Sequence, residues 1–406
     1  MARIARAGVA CPVPLLVRLA RSSSERGRSL LGAATATEAS ATVLRVDGVN
    51  GGVYFARVVS FLPGTVLAQC AGPPPAVAGA GALRRVGAAV ACVGAALCAE
   101  DRRGSGGGSG EGGSGSPWDP AAARRPLTWD LGNALACASG LVHVTERGQR
   151  ALAEKWLGRF CRALQPIATA ATGEIAAGDG GDGGCAFAGL LVGLPEQVIH
   201  GDLNDYNVML TQEAAMSVDV AGGVFSVHPE GNAATAAILA SGVAVLDLGD
   251  MVWSKRVFDL AIAIAYAAQR RPSAEDALSA ALAVGKGFAN AQRVLAAEAA
   301  TGGFKGGGGG RLCAAEALAV PLCVAARLCQ SVLTSATTLA TIRAQAAAAA
   351  AVVLLEGKSS TKDEAQAEAQ EAYVLVSAAP GWALLQQWDE LHDAGRLKAL
   401  TNCLLE

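Results

Sequence analysis

A chain of 406 residues with a formal net charge of −2 has ample material for a sizeable core, and it carries neither the basic field that holds nucleic acid nor a polybasic membrane anchor. Its hydrophobic fraction of 52% and mean hydropathy of +0.35 owe much to small residues. The longest apolar runs, residues 86–99 and 344–355, fall short of the about 20 residues that span a bilayer, so the expectation is a soluble protein without membrane or nucleic-acid partners.

Residues 1–28 are rich in Arg and Ser, with the first acid at Glu25, a composition that fits an organelle transit peptide. Thr42–Val46 and Val53–Val59 are β-rich runs separated by Asp47-Gly48-Val49-Asn50-Gly51-Gly52, which predicts a hairpin. Ser60-Phe61-Leu62-Pro63-Gly64 breaks the second strand, and on composition alone Phe61 and Leu62 read as apolar residues packing a strand end. Leu83–Glu100 and Arg147–Leu164 carry apolar residues at helical spacing. Between them stand a Gly- and Ser-rich tract and Trp129-Asp130, a core Trp beside a helix-capping Asp on one reading. The Gly tracts near 104–116, 178–184 and 302–310 follow no strand and read as insertions rather than phosphate cradles.

The chemistry gathers in Val198–Leu210. Two short apolar runs flank His200-Gly201-Asp202-Leu203-Asn204-Asp205-Tyr206-Asn207, which reads as two strands joined by an exposed loop. Asp202 and Asn207 lie close enough in sequence for a loop that doubles back to aim a carboxylate and an amide oxygen at one small volume. Phosphoryl transfer needs that pair, a carboxylate for the attacking hydroxyl and oxygen ligands for magnesium. Downstream, the apolar run Val243–Leu246 ends in Asp247-Leu248-Gly249-Asp250, which delivers a second carboxylate at a strand terminus. The order Asp, Asn, Asp is that of kinase catalytic and metal residues.

Ser254 then reads as the N-cap of a helix with Val257, Phe258, Leu260, Ala261, Ile264 and Ala265 on its apolar face. Asp259 interrupts that face, and a carboxylate on a buried surface needs donors. Eleven cysteines, an odd number dispersed without Cys-x-x-Cys pairs, read as free thiols in a reducing compartment. His143, His228 and His392 have no metal-ligand spacing.

His200-Gly201-Asp202 with Asn207, followed by Asp247-Leu248-Gly249-Asp250, resembles the aminoglycoside phosphotransferase and choline kinase superfamily. Leu203-Asn204-Asp205-Tyr206, Ala325-Ala326-Arg327-Leu328-Cys329-Gln330-Ser331 and Gly381-Trp382-Ala383-Leu384-Leu385-Gln386-Gln387 look like segments of hydroxylysine kinases. The resemblance implies an α+β, protein-kinase-like two-lobed fold. A partial small lobe and hinge would occupy residues 1–64, and a large, mainly helical catalytic lobe residues 65–406. It implies Asp202 as the catalytic carboxylate, Asn207 and Asp247 as magnesium ligands, and Phe61 and Leu62 at the nucleobase. His200 and Asp259 would hold the loop, Asp259 by accepting its backbone amides. The implied reaction moves the γ-phosphoryl group of GTP or ATP to the hydroxyl of a small amine-bearing, amino-acid-like metabolite in the cytoplasm. 5-Hydroxy-L-lysine is the first choice, with a homoserine- or aminoglycoside-type acceptor the alternative. Trp129-Asp130 would then line the acceptor pocket.

Two departures go with the resemblance. Leu248 stands where an aromatic residue is usual in the metal motif. Ala5–Pro14 looks like a turn within the superfamily's small lobe, a second reading of the N-terminus in which no residue here matches the phosphate-pairing Lys or the nucleotide-covering hairpin. On that reading nucleotide binding is weak and turnover slow, and a non-catalytic metabolite-binding module is the remaining alternative.

Overall fold

The computed structural model describes residues 9–11, 17–18, 40–41, 44–47, 53–56, 64–70, 79–98, 123–166, 187–210, 242–300, 310–356 and 361–406. Within them the chain is mostly helical with a few short antiparallel strands, an α+β arrangement. Strands β1 (Val17–Arg18) and β2 (Ser40–Ala41) pair with each other. Strands β3 (Leu44–Asp47) and β4 (Val53–Ala56) form the hairpin expected around residues 47–52. The strand-ending segment that holds Phe61 and Leu62 lies outside the described residues.

Two sheets frame the loop of interest. Strand β5 (Thr65–Val66) pairs with β7 (Val208–Leu210), which pairs in turn with β8 (Val243–Val245), all antiparallel. Strand β6 (Glu196–Ile199) pairs antiparallel with β9 (Val252–Lys255) in register Ile199↔Val252. Residues 200–207 therefore leave one sheet and enter the other, and residues 246–251 make the return crossing beside them. Buried Val9 and Cys11 flank a bridge from Ala10 to Ala244, where the amide of Val245 donates to the carbonyl of Ala10 at 2.9 Å.

The helices are α1 (Ala80–Cys98), α2 (Arg147–Leu164), α3 (Val257–Ala268), α4 (Ala274–Ala300), α5 (Ala314–Glu356), α6 (Thr361–Asp393) and α7 (Lys398–Leu405). Helix α3 is buried on every side except at Tyr266, which is why its sequence is apolar but for Asp259 and Tyr266. Small residues let the helices around it meet closely. A Cβ on Gly87 would overlap the Val284 carbonyl, and one on Gly287 would overlap that of Arg84. Helices α1 and α4 thus touch backbone to backbone, an approach that any larger residue prevents.

Helix α5 holds Pro321 in its interior, where proline has no N–H for the carbonyl of Ala317. The Thr401 hydroxyl, on α7, donates to that carbonyl at 3.5 Å. The indole N–H of Trp388, on α6, donates to the carbonyl of Pro321 itself at 3.0 Å. A break that weakens an isolated helix here joins three.

The structure corrects two expectations. Ser254 is not an N-cap: it lies in β9, and its hydroxyl donates to Asp130 Oδ1 at 2.8 Å while α3 starts at Val257. Apolar helices also outrun the apolar runs, because isolated charges and glycines do not end a helix whose other faces are buried. Ala80–Cys98 and Ala314–Ala351 are long and apolar enough to cross a membrane by length and composition, and 72% and 89% of their apolar windows are buried within the protein. No disulfide joins the ten described cysteines, and burial pushes the thiols of Cys92 and Cys137 up to about 12, far from thiolate chemistry.

Candidate active site

Residues 200–207 are held from below by one carboxylate. Asp259, 2% exposed on the first turn of α3, accepts the amide of His200 on Oδ2 at 2.8 Å and that of Gly201 on Oδ1 at 2.9 Å. Burial pushes the Asp259 carboxyl above the ordinary range, opposed by His200 and by both amides. The chain then turns sharply at Gly201, whose φ is +84° and where a Cβ would stand 2.7 Å from the carbonyl oxygen of Asp250. No residue with a side chain fits that turn. His200 is fully buried; its Nε2 lies 2.8 Å from the Leu246 carbonyl and its Nδ1 accepts the Asp202 amide at 3.3 Å. This pattern assigns the proton to Nε2 and leaves the ring joining the two crossings of the site.

The loop doubles back through Asn204, whose Oδ1 accepts the amides of Tyr206 at 2.8 Å and Asn207 at 3.0 Å, an Asx-type turn. Asp202 and Asn207 therefore meet: the Asn207 amide nitrogen donates to the Asp202 carbonyl at 2.9 Å and to its Oδ2 at 3.2 Å. Asn204 Nδ2 also donates to Oδ2 at 2.7 Å. Arg327, from the first half of α5, donates to Oδ1. Burial pushes the Asp202 carboxyl upward. Arg327 and His200 oppose that push, and Asp250 and Asp247 add to it. A carboxylate moved in that direction is a better proton acceptor than a free surface Asp.

Asp247 arrives from the other crossing. The amide of Leu246 donates to the Asn207 carbonyl at 2.8 Å, continuing the β7–β8 ladder by one step, so Asn207 and Asp247 emerge at the same end of the sheet. Asp247 is exposed and adopts a left-handed conformation, φ 49° and ψ 68°, with its Oδ1 accepting the Gly249 amide at 3.2 Å. Asp tolerates that region through such a local bond. Arg125 donates to the Gly249 carbonyl, so a cation borders this turn, and Arg124 lies 4.4 Å over the Trp253 ring.

Among the described residues no group of three or more His, Cys, Asp or Glu is arranged to hold a metal ion. The donor set at the site is Asn207 with Asp247. The amide nitrogen of Asn207 is committed to Asp202, which leaves its oxygen free to bind, and Asp247 keeps Oδ2. Two hard oxygens beside waters and phosphate oxygens suit magnesium, which seldom takes an all-protein cage.

Sequence reasoning about the site overlooked Arg327 and Gln330 as chemistry. Both are about 1% exposed on α5, and the signal was present: an Arg and a Gln inside an otherwise apolar helical run must have buried partners. Arg327 Nη1 donates to the Trp129 carbonyl and to Gln330 Oε1, both at 2.9 Å, and its guanidinium lies 4.9 Å over the Trp129 ring and 5.5 Å over that of Tyr266. Gln330 Nε2 donates to the carbonyls of Thr128 at 2.8 Å and Asp130 at 3.2 Å. Asp130 caps the 3-10 helix Leu131–His143 by accepting the Gly132 amide, and Trp129 is half-buried beside it. In comparisons with known proteins, the chain matches no family model and no curated sequence.

Asp205 carries a pH consequence. It is 5% exposed, and burial pushes its carboxyl up to about 6 against the pull of Arg270. Between the ordinary Asp value of about 3.9 and about 6 the unfolded chain loses a proton that the folded chain keeps, so stability falls as pH rises through that window. The full loss is about 3 kcal/mol and is complete above about pH 6. Asp205→Asn should flatten this slope and gain most over the parent at pH 7; parallel denaturation curves from pH 4 to 7 would remove the assignment.

Proposed function

We propose that the chain is a small-molecule phosphotransferase of the hydroxylysine kinase kind, with a protein-kinase-like two-lobed fold. It would transfer the γ-phosphoryl group of GTP or ATP to the hydroxyl of an amino-acid-like acceptor, 5-hydroxy-L-lysine first among them. One observation carries this reading. Asp202 and Asn207 are bonded to each other in a loop whose backbone is fixed by Asp259, and Asp247 emerges beside Asn207 across one ladder step.

The chemistry follows from that arrangement. Asp202 orients the acceptor hydroxyl and takes its proton as the oxygen attacks the γ-phosphorus. The bond between that phosphorus and the β,γ-bridging oxygen breaks, leaving a phosphate monoester and a nucleoside diphosphate. Asn207 and Asp247 would hold magnesium, which when bound offsets the negative charge of the phosphates. Asp259 and His200 keep the loop from relaxing, since any drift of Asp202 separates base from hydroxyl.

The test is metal-dependent nucleotide binding. Titrating GTP and ATP into the 406-residue chain at several magnesium concentrations should show binding that requires the ion. Asp247→Ala should raise the magnesium needed for half-saturation by about tenfold or more, because a hard cation loses an oxygen ligand. An unchanged magnesium requirement in that variant, measured by calorimetry, counts against the site.

A further inference from the structure

Asp202 has one position left to offer. A carboxylate presents about four lone-pair sites, and three are occupied: Arg327 takes one on Oδ1, and the side-chain amides of Asn204 and Asn207 take two on Oδ2. The side chain keeps 12% of its surface exposed, and the one site without a described donor is on Oδ1. Which direction that site faces is decided by the donor sharing Oδ1.

That donor is held through both terminal nitrogens, while its buried Nε has no partner among the described hydrogen bonds. Arg327 is 1% exposed, and it joins Asp202 to the Trp129 carbonyl while Gln330 binds the carbonyls on either side of Trp129. The rings of Trp129 and Tyr266 also lie within cation–π distance of its guanidinium. Burying a guanidinium is a poor way to gain stability, because an apolar side chain at the same place on α5 avoids the desolvation cost. The network instead ties the segment Thr128–Asp130 to the reacting carboxylate as one rigid body.

We propose that Arg327 is a positioning residue for phosphoryl transfer: it fixes the orientation of Asp202 and ties that carboxylate to the segment Thr128–Asp130. The proposal rests on the phosphotransferase reading. It assigns to α5, remote in sequence from both kinase-like motifs, control over where the acceptor hydroxyl meets its base.

The experiment compares Arg327→Met, Arg327→Lys and the Asp202→Asn/Arg327→Met double variant with the parent 406-residue chain, using GTP and 5-hydroxy-L-lysine with magnesium, at a temperature where circular dichroism shows each to be folded. Arg327→Met should lower kcat about 10²-fold, as expected for a base displaced by about 1 Å, with the nucleotide KM within about twofold of the parent. Arg327→Lys keeps the charge but not the fork, and should recover part of the loss. In the Asp202→Asn background Arg327→Met should change kcat by less than about threefold, because a positioning residue has nothing left to position. Equal losses in both backgrounds, or a nucleotide KM that rises with the fall in kcat, would overturn the proposal. If the Met variant does not fold, Arg327→Lys decides, and parental kcat in it rejects the assignment. A parent chain without acceptor-dependent turnover removes the phosphotransferase reading and this inference with it, whereas parental turnover that is indifferent to Arg327 removes this inference alone.

Discussion

Asp202→Asn should lower acceptor-dependent phosphoryl transfer by about 10²-fold or more, since the variant has no carboxylate to take the hydroxyl proton. The fold will register the change as well. Asp202 Oδ1 is the anionic partner of Arg327, and both lie within the protein, so the substitution strands a buried guanidinium. Removing one member of a buried pair costs about 3 kcal/mol or more. Lower activity should therefore come with a lower Tm, and the two effects separate in the Asp202→Asn/Arg327→Met double variant, which should recover stability but not turnover. A double variant as unstable as Asp202→Asn would show that the pair is not what the single change disturbs.

The largest loss of stability should come from Asp259→Ala. Both oxygens of this carboxylate are spent on the amides of His200 and Gly201, and nothing else is bonded to those two groups among the described hydrogen bonds. Two buried N–H groups left without acceptors cost about 1–3 kcal/mol each, and a further cavity remains where the side chain was. We expect a loss of about 3–5 kcal/mol, together with rapid amide exchange at residues 200–202, read by denaturant unfolding and hydrogen exchange. Asp259→Asn should fall between, because an amide oxygen replaces only one of the two acceptors. Parent-like exchange at His200 and Gly201 in the Ala variant would contradict the anchoring role.

Local patterns in this sequence carried far, and relations between distant residues did not. The periodicity of Arg147–Leu164 predicts a helix with the bounds that α2 has, since an amphipathic surface helix displays its period directly. The burial of Asp259 was legible for the same reason, as a charge within an apolar face, whereas the loop expected to be exposed is buried at His200, Gly201, Asp202, Leu203 and Asp205. Ser254 misled because a Ser before an apolar run signals a cap only if the chain is not already paired, and β6 pairs it. Arg327 was visible as an oddity but its partner was not, because 125 positions separate it from Asp202. Gly87 and Gly287 likewise look like helix-weakening residues until α1 and α4 are seen to need the space.

The most direct measurement is transfer of labelled γ-phosphoryl from GTP and from ATP to 5-hydroxy-L-lysine by the 406-residue chain in magnesium, run beside Asp202→Asn and beside a reaction without acceptor. The account predicts a phosphate monoester of the acceptor that forms in the parent, requires magnesium, and falls by about 10²-fold or more in the variant. No acceptor-dependent product with either nucleotide, or equal product from the parent and Asp202→Asn, would contradict it.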